Sequence, residues 1–167
     1  MTKEPKPMTA EQAFLRLSAL CARGEHCQQE MLDKMRRWGV DEAAQASVMQ
    51  RLISERYVDD ERFCRAFVRD KIKYDKWGRR KVEQALWLKH IDADTSRRVL
   101  DEIDDDEYIS TLRPLLQQKR RSTRAASDYE LRQKLMKWAL GRGFGMDIIR
   151  QCMDIDEDES QLPDEDF

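Results

Sequence analysis

The stretch CQQEMLDKMRRWGVDEAAQASVMQRL, residues 27–52, repeats its apolar frame in GRRKVEQALWLKHIDADTSRRVLDEI, residues 78–103. At this offset of 51 residues, Cys27, Met31, Met35, Val40, Asp41, Val48 and Leu52 fall on Gly78, Val82, Leu86, Ile91, Asp92, Val99 and Ile103. A further shift of 49 takes Gly78, Val82 and Leu86 to Ser127, Leu131 and Leu135. Beyond Leu135 the third copy gains about four residues, Ala139 to Arg142, before Gly143-Phe144. Chance overlap of helical stripes does not readily align the loop pairs Val40-Asp41 and Ile91-Asp92 as well. Duplication of a packing unit does, because it keeps the apolar frame while exposed positions drift.

Within each copy the apolar residues recur with the helical spacing of three and four. Working outward, Thr9 is placed to cap a first helix, with Gln12 completing a capping box and Phe14, Leu17 and Leu20 forming its stripe. The second helix carries Met31, Met35 and Trp38 and stops at Gly39. The third buries Ala44, Val48, Leu52 and Ile53, and the fourth starts at Asp59-Asp60 and buries Phe63 and Phe67. Five more stripes follow, at Val82–Leu86, Val99–Ile103, Leu112–Leu116, Leu131–Trp138 and Ile148–Cys152. Pro114 must kink or begin the seventh helix, because it lacks an N–H and clashes with the preceding turn. Ser127 and Glu130 form a second possible capping box.

The expected fold is all-α, an elongated, curved array of three tandem three-helix repeats, since a short three-helix unit must lean on its neighbours for a core. The predicted divisions are a flexible N-terminus (1–10), repeats at 11–57, 58–106 and 107–153, and an acidic tail at 154–167. Composition agrees. The 167 residues hold only 6 Gly and 4 Pro, too few for a sandwich or barrel that turns every ~8–12 residues. No apolar run approaches the ~18 residues of a membrane span, and no signal peptide opens the chain. A cytoplasmic protein with reduced thiols is the expectation for Cys21, Cys27, Cys64 and Cys152, which include no Cys-x-x-Cys.

The formal net charge of −2 hides an asymmetry. Residues 154–167 carry eight of the 33 acidic residues and none of the 31 basic ones, which leaves 1–153 at +6. A basic body suits a polyanionic partner such as nucleic acid, and a surface laced with salt bridges is the plainer alternative. The tail has almost no apolar content and is expected to be disordered. It would serve solubility or fold back on the basic face as a competitor.

Chemistry-bearing patterns are sparse. There is no Gly-rich phosphate loop, and neither His26 nor His90 has a nucleophile at a diagnostic spacing. Cys21, His26 and Cys27 do not match a zinc pattern, so no metal and no cofactor is expected. Asp59 and Asp60 read as helix capping rather than paired catalytic carboxylates, and the acidic run at 101–107 as a turn and helix start. The basic clusters stand out more. Arg65, Arg69 and Lys73 line one face of the fourth helix. Arg79, Arg80 and Lys81 open the fifth, where cations oppose the local dipole. Lys119, Arg120, Arg121 and Arg124 precede the third repeat. Tyr74, Trp77 and Trp87 lie among them. They suit stacking on bases, or filling the space between repeats, the latter favoured for Trp87.

Several of these residues resemble the bacterial RecX family. That family shows an aromatic, an aliphatic, two Asp, two variable residues and Phe, as in Tyr57-Val58-Asp59-Asp60-Glu61-Arg62-Phe63. Gly78, Arg79, Leu86, Lys89 and Ile91 match its Gly and basic helix, with His90 where Gly is usual. Arg23, Glu25-His26-Cys27 and Glu30-Met31 match an upstream motif with Cys27 replacing Ser, and Ser127-Asp128-Tyr129-Glu130-Leu131 restores the Ser-x-x-Glu-Leu form. The resemblance covers about residues 11–153. It implies an elongated helical regulator, not an enzyme, that binds the RecA recombinase filament on DNA. Such a protein limits filament growth and lowers ATPase, strand exchange and co-protease activity in recombination and the SOS response. The implied partners are the RecA filament and, at least indirectly, DNA, with no membrane and a monomeric protein. The residues singled out for contact are the ten cations above; Asp59, Asp60, Phe63 and Gly78 are family signature read as structural. A direct nucleic-acid-binding helical protein and a generic helical adapter remain alternatives.

Overall fold

A computed structural model describes residues 6–160 of the chain, with side chains as far as Met153. Among the described residues there are nine α-helices and no strand. They run α1 Ala10–Arg23, α2 Gln28–Arg37, α3 Glu42–Ser54, α4 Asp60–Lys73, α5 Arg79–Leu88, α6 Ala93–Asp101, α7 Asp105–Ser122, α8 Asp128–Gly141 and α9 Met146–Ser160. None of the described helices is long and apolar enough to cross a membrane. The expected flexible N-terminus reaches into residues 1–5 and the expected tail into 161–167, which lie outside the described residues. Helix α9 runs on to Ser160 rather than stopping at Met153, where the tail was expected to begin.

The repeat is visible in backbone chemistry. At the end of α2, Val40 N–H donates to Met35 O at 3.0 Å. At the end of α5, Ile91 N–H donates to Leu86 O at 3.1 Å, and after α8, Phe144 N–H donates to Ala139 O at 3.2 Å. The residue before each of these donors is left-handed: Gly39 at φ 71°, His90 at 56° and Gly143 at 93°. This is the helix stop in which a left-handed residue lets the chain double back on the last turn. His90 therefore makes the same stop as the glycines, at a steric cost of about 1 kcal/mol for its Cβ. The extra four residues of the third copy lengthen α8 to 14 residues, against 10 in α2 and α5.

Capping follows the sequence in part. Thr9 and Gln12 exchange both bonds of a capping box, at 3.1 and 3.2 Å. Ser127 Oγ accepts from Glu130 N–H at 3.2 Å, but the Glu130 carboxylate takes Ala126 N–H at 2.9 Å, one residue upstream of the position a capping box uses. Helix α7 starts at Asp105, nine residues before Pro114, so the proline sits inside the helix and does not begin it.

The chain divides into two compact units. The first comprises Met1–Phe67 with Leu86–Ser96, the second Val68–Ala85 with Arg97–Phe167. Helices α4 and α5, which belong to the middle repeat, thus contribute residues to both. In the first, Phe14, Leu17, Met31, Met35, Val48, Leu52 and Val58 form the core, and each buried aliphatic contributes about 1.5–3 kcal/mol by leaving water. In the second, Val82, Leu100, Leu112, Leu116, Leu135, Phe144 and Ile149 are buried. Periodicity overstated the burial of Ile53, which is 42% exposed, and of Ala44 and Phe67, which are half-buried; Trp87, favoured as a filler between repeats, is 73% exposed. A stripe fixes a face of a helix, not whether another element covers it.

Candidate nucleic-acid and partner interface

The signature residues hold structure. Asp59 Oδ1 accepts from Arg62 N–H at 3.0 Å, the N-cap bond of α4. Asp60 looks elsewhere, and its Oδ1 accepts Gln28 N–H at 2.8 Å, satisfying the first turn of α2. Cys27 and Glu30 form a capping box at the start of α2, the Glu30 carboxylate accepting Cys27 N–H at 3.2 Å, and the neighbouring Gln28 N–H finds its acceptor on another helix. Burial and the neighbouring Asp59 push the Asp60 carboxyl above its ordinary range, with the Gln28 bond opposing them. The Cys27 thiol is pushed up to about 11, mainly by burial, and donates to Lys89 O at 3.9 Å. Arg62 binds Glu25 at 2.6 Å and the carbonyls of Arg56 and Tyr57. Phe63 is buried, its ring 5.6 Å from that of Phe67, with the Lys89 ammonium 5.9 Å from each.

Gly78 is a contact of backbones. Its N–H donates to Arg142 O at 2.9 Å, and Arg80 N–H donates to Gly143 O at 3.0 Å. A Cβ on Gly78 would collide with the Gly143–Phe144 peptide, and one on Gly143 with Lys81. The cap reading of Gly78 missed this crossing, which joins the start of α5 to the turn after α8.

The ten expected contact cations divide. Arg65 pairs with Glu61 at 3.4 Å and belongs to the first unit. The other nine belong to the second. Arg69 and Lys73 are exposed, the Lys73 ammonium 5.3 Å from the Tyr74 ring. Arg79 binds Asp101 at 2.7 Å, which answers the unfavourable dipole at the start of α5, and Arg80 is exposed. Lys119, Arg120 and Arg121 occupy the last turn of α7, where cations complement the helix end, and Arg124 follows in the exposed loop.

Two tryptophans organise the second unit's cations. Lys71 and Lys81 lie 4.8 and 4.7 Å from the Trp77 ring. Lys119 and Arg142 lie 5.6 and 5.4 Å from the Trp138 ring. The Arg142 guanidinium also donates to Asp75 O at 2.7 Å and to Lys76 O at 3.3 Å, which ties the two groups together. The aromatic faces hold the cations by their negative quadrupole. Sequence reasoning named Lys81 and Lys119 but not Lys71 or Arg142. The four-residue insertion ending at Arg142 was the available signal.

In the first unit, Trp87 and the adjacent Leu88 are 73% and 64% exposed beside His90, Ile91 and Ala93. Large exposed apolar side chains of this kind suit a protein partner. Among the described residues, no group of three or more His, Cys, Asp or Glu is placed to hold a metal ion.

Models of known families match twice in tandem. Residues 59–100 match the second three-helix domain of RecX and residues 105–153 the third. The chain belongs to the RecX family. Its curated relatives are named regulatory proteins, not enzymes. It is 29% identical to the regulatory protein RecX of Clostridium botulinum (strain Eklund 17B / Type B) over 128 residues, 75% of this chain and 59% of that one. It is 28% identical to that of Acinetobacter baylyi over 141 residues, 84% of this chain and 86% of the relative. The chain spans about half the length of several RecX relatives, 46% of that of Lactobacillus johnsonii for example. The crystal structure of RecX from Lactobacillus salivarius matches with a TM-score of 0.77 at 19% identity, over 87% of this chain and 94% of that one. A second RecX crystal structure gives 0.81 at 17% identity, over 87% and 73%. Both share the helical RecX fold with this chain.

Proposed function

We propose that this protein binds the RecA recombinase filament on DNA and limits its growth, lowering RecA's ATPase, strand exchange and co-protease activity in DNA repair and the SOS response. The observation that carries this reading is the tandem match to two RecX domains. The Trp77–Trp138 cation group supports contact with a phosphate backbone, and exposed Trp87 and Leu88 support contact with a protein. Several weak contacts along a filament add through effective concentration, so a modest surface suffices. The site of action on this reading is the cytoplasm and the protein acts as a monomer.

The test is RecA ATPase on single-stranded DNA with the protein added at substoichiometric amounts. Inhibition is expected, and its absence at every ratio overturns the reading. Replacing Arg120 and Arg121 by Gln should weaken inhibition with little change in melting temperature, because both are exposed. A direct nucleic-acid-binding role is the second reading, favoured by the same cation group. It requires DNA affinity without RecA that falls steeply with salt, by about one slope unit per phosphate contact. Salt-insensitive affinity removes it.

A further inference from the structure

Helix α1 carries two stripes. Ala13, Phe14 and Leu17 are buried in the first unit's core. Arg16, Ala19, Leu20 and Arg23 follow the same spacing of three and four on a neighbouring face. With Trp38, just past the end of α2, they line a pocket of about 310 Å³, and all five belong to the first unit. Leu20 and Trp38 are half-buried and packed against the core, so the core itself fixes the apolar floor of the pocket. Ala19 is exposed and small, and it leaves open the space that a longer side chain would fill.

The second observation is charge. Arg16 and Arg23 are both exposed and stand two turns apart, about 10 Å along the helix, on either side of Leu20. Neither has a carboxylate within ion-pair distance among the described residues, whereas Arg51 of the same unit pairs with Glu11 at 3.0 Å and Arg62 with Glu25 at 2.6 Å. The Arg16 guanidinium lies 5.7 Å from the centre of the Trp38 ring, and cation–π attraction holds it at the rim. An apolar floor between two uncompensated cations is complementary to an apolar side chain between two carboxylates. Nucleic acid fits less well. The lining has no side-chain amide or hydroxyl to meet a base edge, and Arg16 already covers the indole face.

We propose that this pocket docks an acidic segment of a partner protein, one leucine- or phenylalanine-sized side chain entering over Leu20 and Trp38 while flanking carboxylates meet Arg16 and Arg23. The surface stands apart from the proposed regulation of RecA, since its direct test needs neither RecA nor DNA.

The test titrates the full chain with the capped peptide Gly-Asp-Ser-Leu-Ser-Asp-Gly and follows amide and indole N–H signals by NMR. In an extended strand, alternate residues share a face, which puts the Leu and both Asp of this peptide on one side. Saturable shifts confined to residues 16–23 and the Trp38 indole are expected. Ala19→Glu, an exposed change that fills the pocket with bulk and negative charge, should abolish them with the melting temperature unchanged. Arg23→Gln should weaken the affinity about threefold, because an exposed ion pair contributes little. Replacing the peptide's Leu by Ser should weaken it about tenfold. Lys119→Gln, in the second unit, should change nothing. The proposal is overturned by an absence of saturable shifts, by undiminished affinity in a folded Ala19→Glu protein or by equal affinity for the Ser-for-Leu peptide. A single-stranded oligonucleotide that shifts the same residues at lower concentration than the peptide also overturns it.

Discussion

The second and third repeats make the same helix stop from different residues, His90 after α5 and Gly143 after α8. Both are left-handed, and both are followed by the same backbone bond, yet the two positions are not equivalent. At His90 only the backbone angle is unusual. At Gly143 the angle is unusual and the space is taken as well, because the first turn of α5 lies against it. Gly39 in the first repeat is like His90: its angle favours glycine, and no atom stands within 4 Å of where a Cβ would be. One local motif thus carries two different constraints, and only packing separates them.

The starts of the repeated helices differ in the same manner. Ser127 caps α8 with its own side chain. Gly78 gives its N–H to Arg142 O, and Cys27 shares a capping box with Glu30 while Asp60 takes the Gln28 N–H. Position for position these residues align, but each solves its helix start with a different partner.

Substitutions can break this comparison in order of size. The largest effect is expected for Gly143→Ala, which meets both the positive angle and Lys81. It should cost about 3 kcal/mol or more in chemical denaturation, whereas Gly39→Ala should cost about 1 kcal/mol. Equal costs would mean that the crossing is not a constraint. Next comes Asp60→Ala, expected to cost about 1–2 kcal/mol by leaving the Gln28 N–H without its acceptor, a loss that Asp60→Asn should largely avoid. This pair also carries a pH signature. Because burial raises the folded-state pKa of Asp60 above its ordinary value of 3.8, the group's contribution is present at low pH and lost as pH rises through the folded pKa. Wild type should therefore gain stability relative to Asp60→Asn on going from about pH 7 to about pH 4, and a gain in the other direction breaks the assignment. Ser127→Ala should cost about 1 kcal/mol, since Ser127 is the cap of α8. The smallest effect is His90→Gly, a gain of about 0.5–1 kcal/mol seen as a higher melting temperature, since relief of the Cβ clash outweighs the added freedom of the unfolded chain. A loss instead would show that the imidazole makes a contact of its own.

Much of the fold was legible. The 51- and 49-residue offsets, the Thr9 cap and the stop residues are local or periodic, and local interactions are written in adjacent residues. The capping reading of Asp59 needed only its own helix. That of Asp60 needed α2, a different repeat, and its partner Gln28 was not nameable from spacing. The basic clusters were visible as composition. Their division into Arg65 with Glu61, Arg79 with Asp101, and Lys81 and Lys119 on tryptophan rings depends on which helices meet. Arg142 was passed over because it lies in an insertion with no counterpart in the other repeats. Trp87 failed in the opposite sense: its bulk argued for burial, and no described element covers it.

The sequence by itself determined the helical class, the repeat, its stops and starts, and the separation of a +6 body from an acidic segment. These follow from chain periodicity, local hydrogen bonding and charge counting, none of which needs a neighbour. Tertiary structure alone decided that Gly78 and Gly143 cross, and which cations rest on Trp77 and Trp138. Those facts join residues from different repeats, and the energy that selects such pairings lies in excluded volume and buried contact, which a linear pattern does not encode.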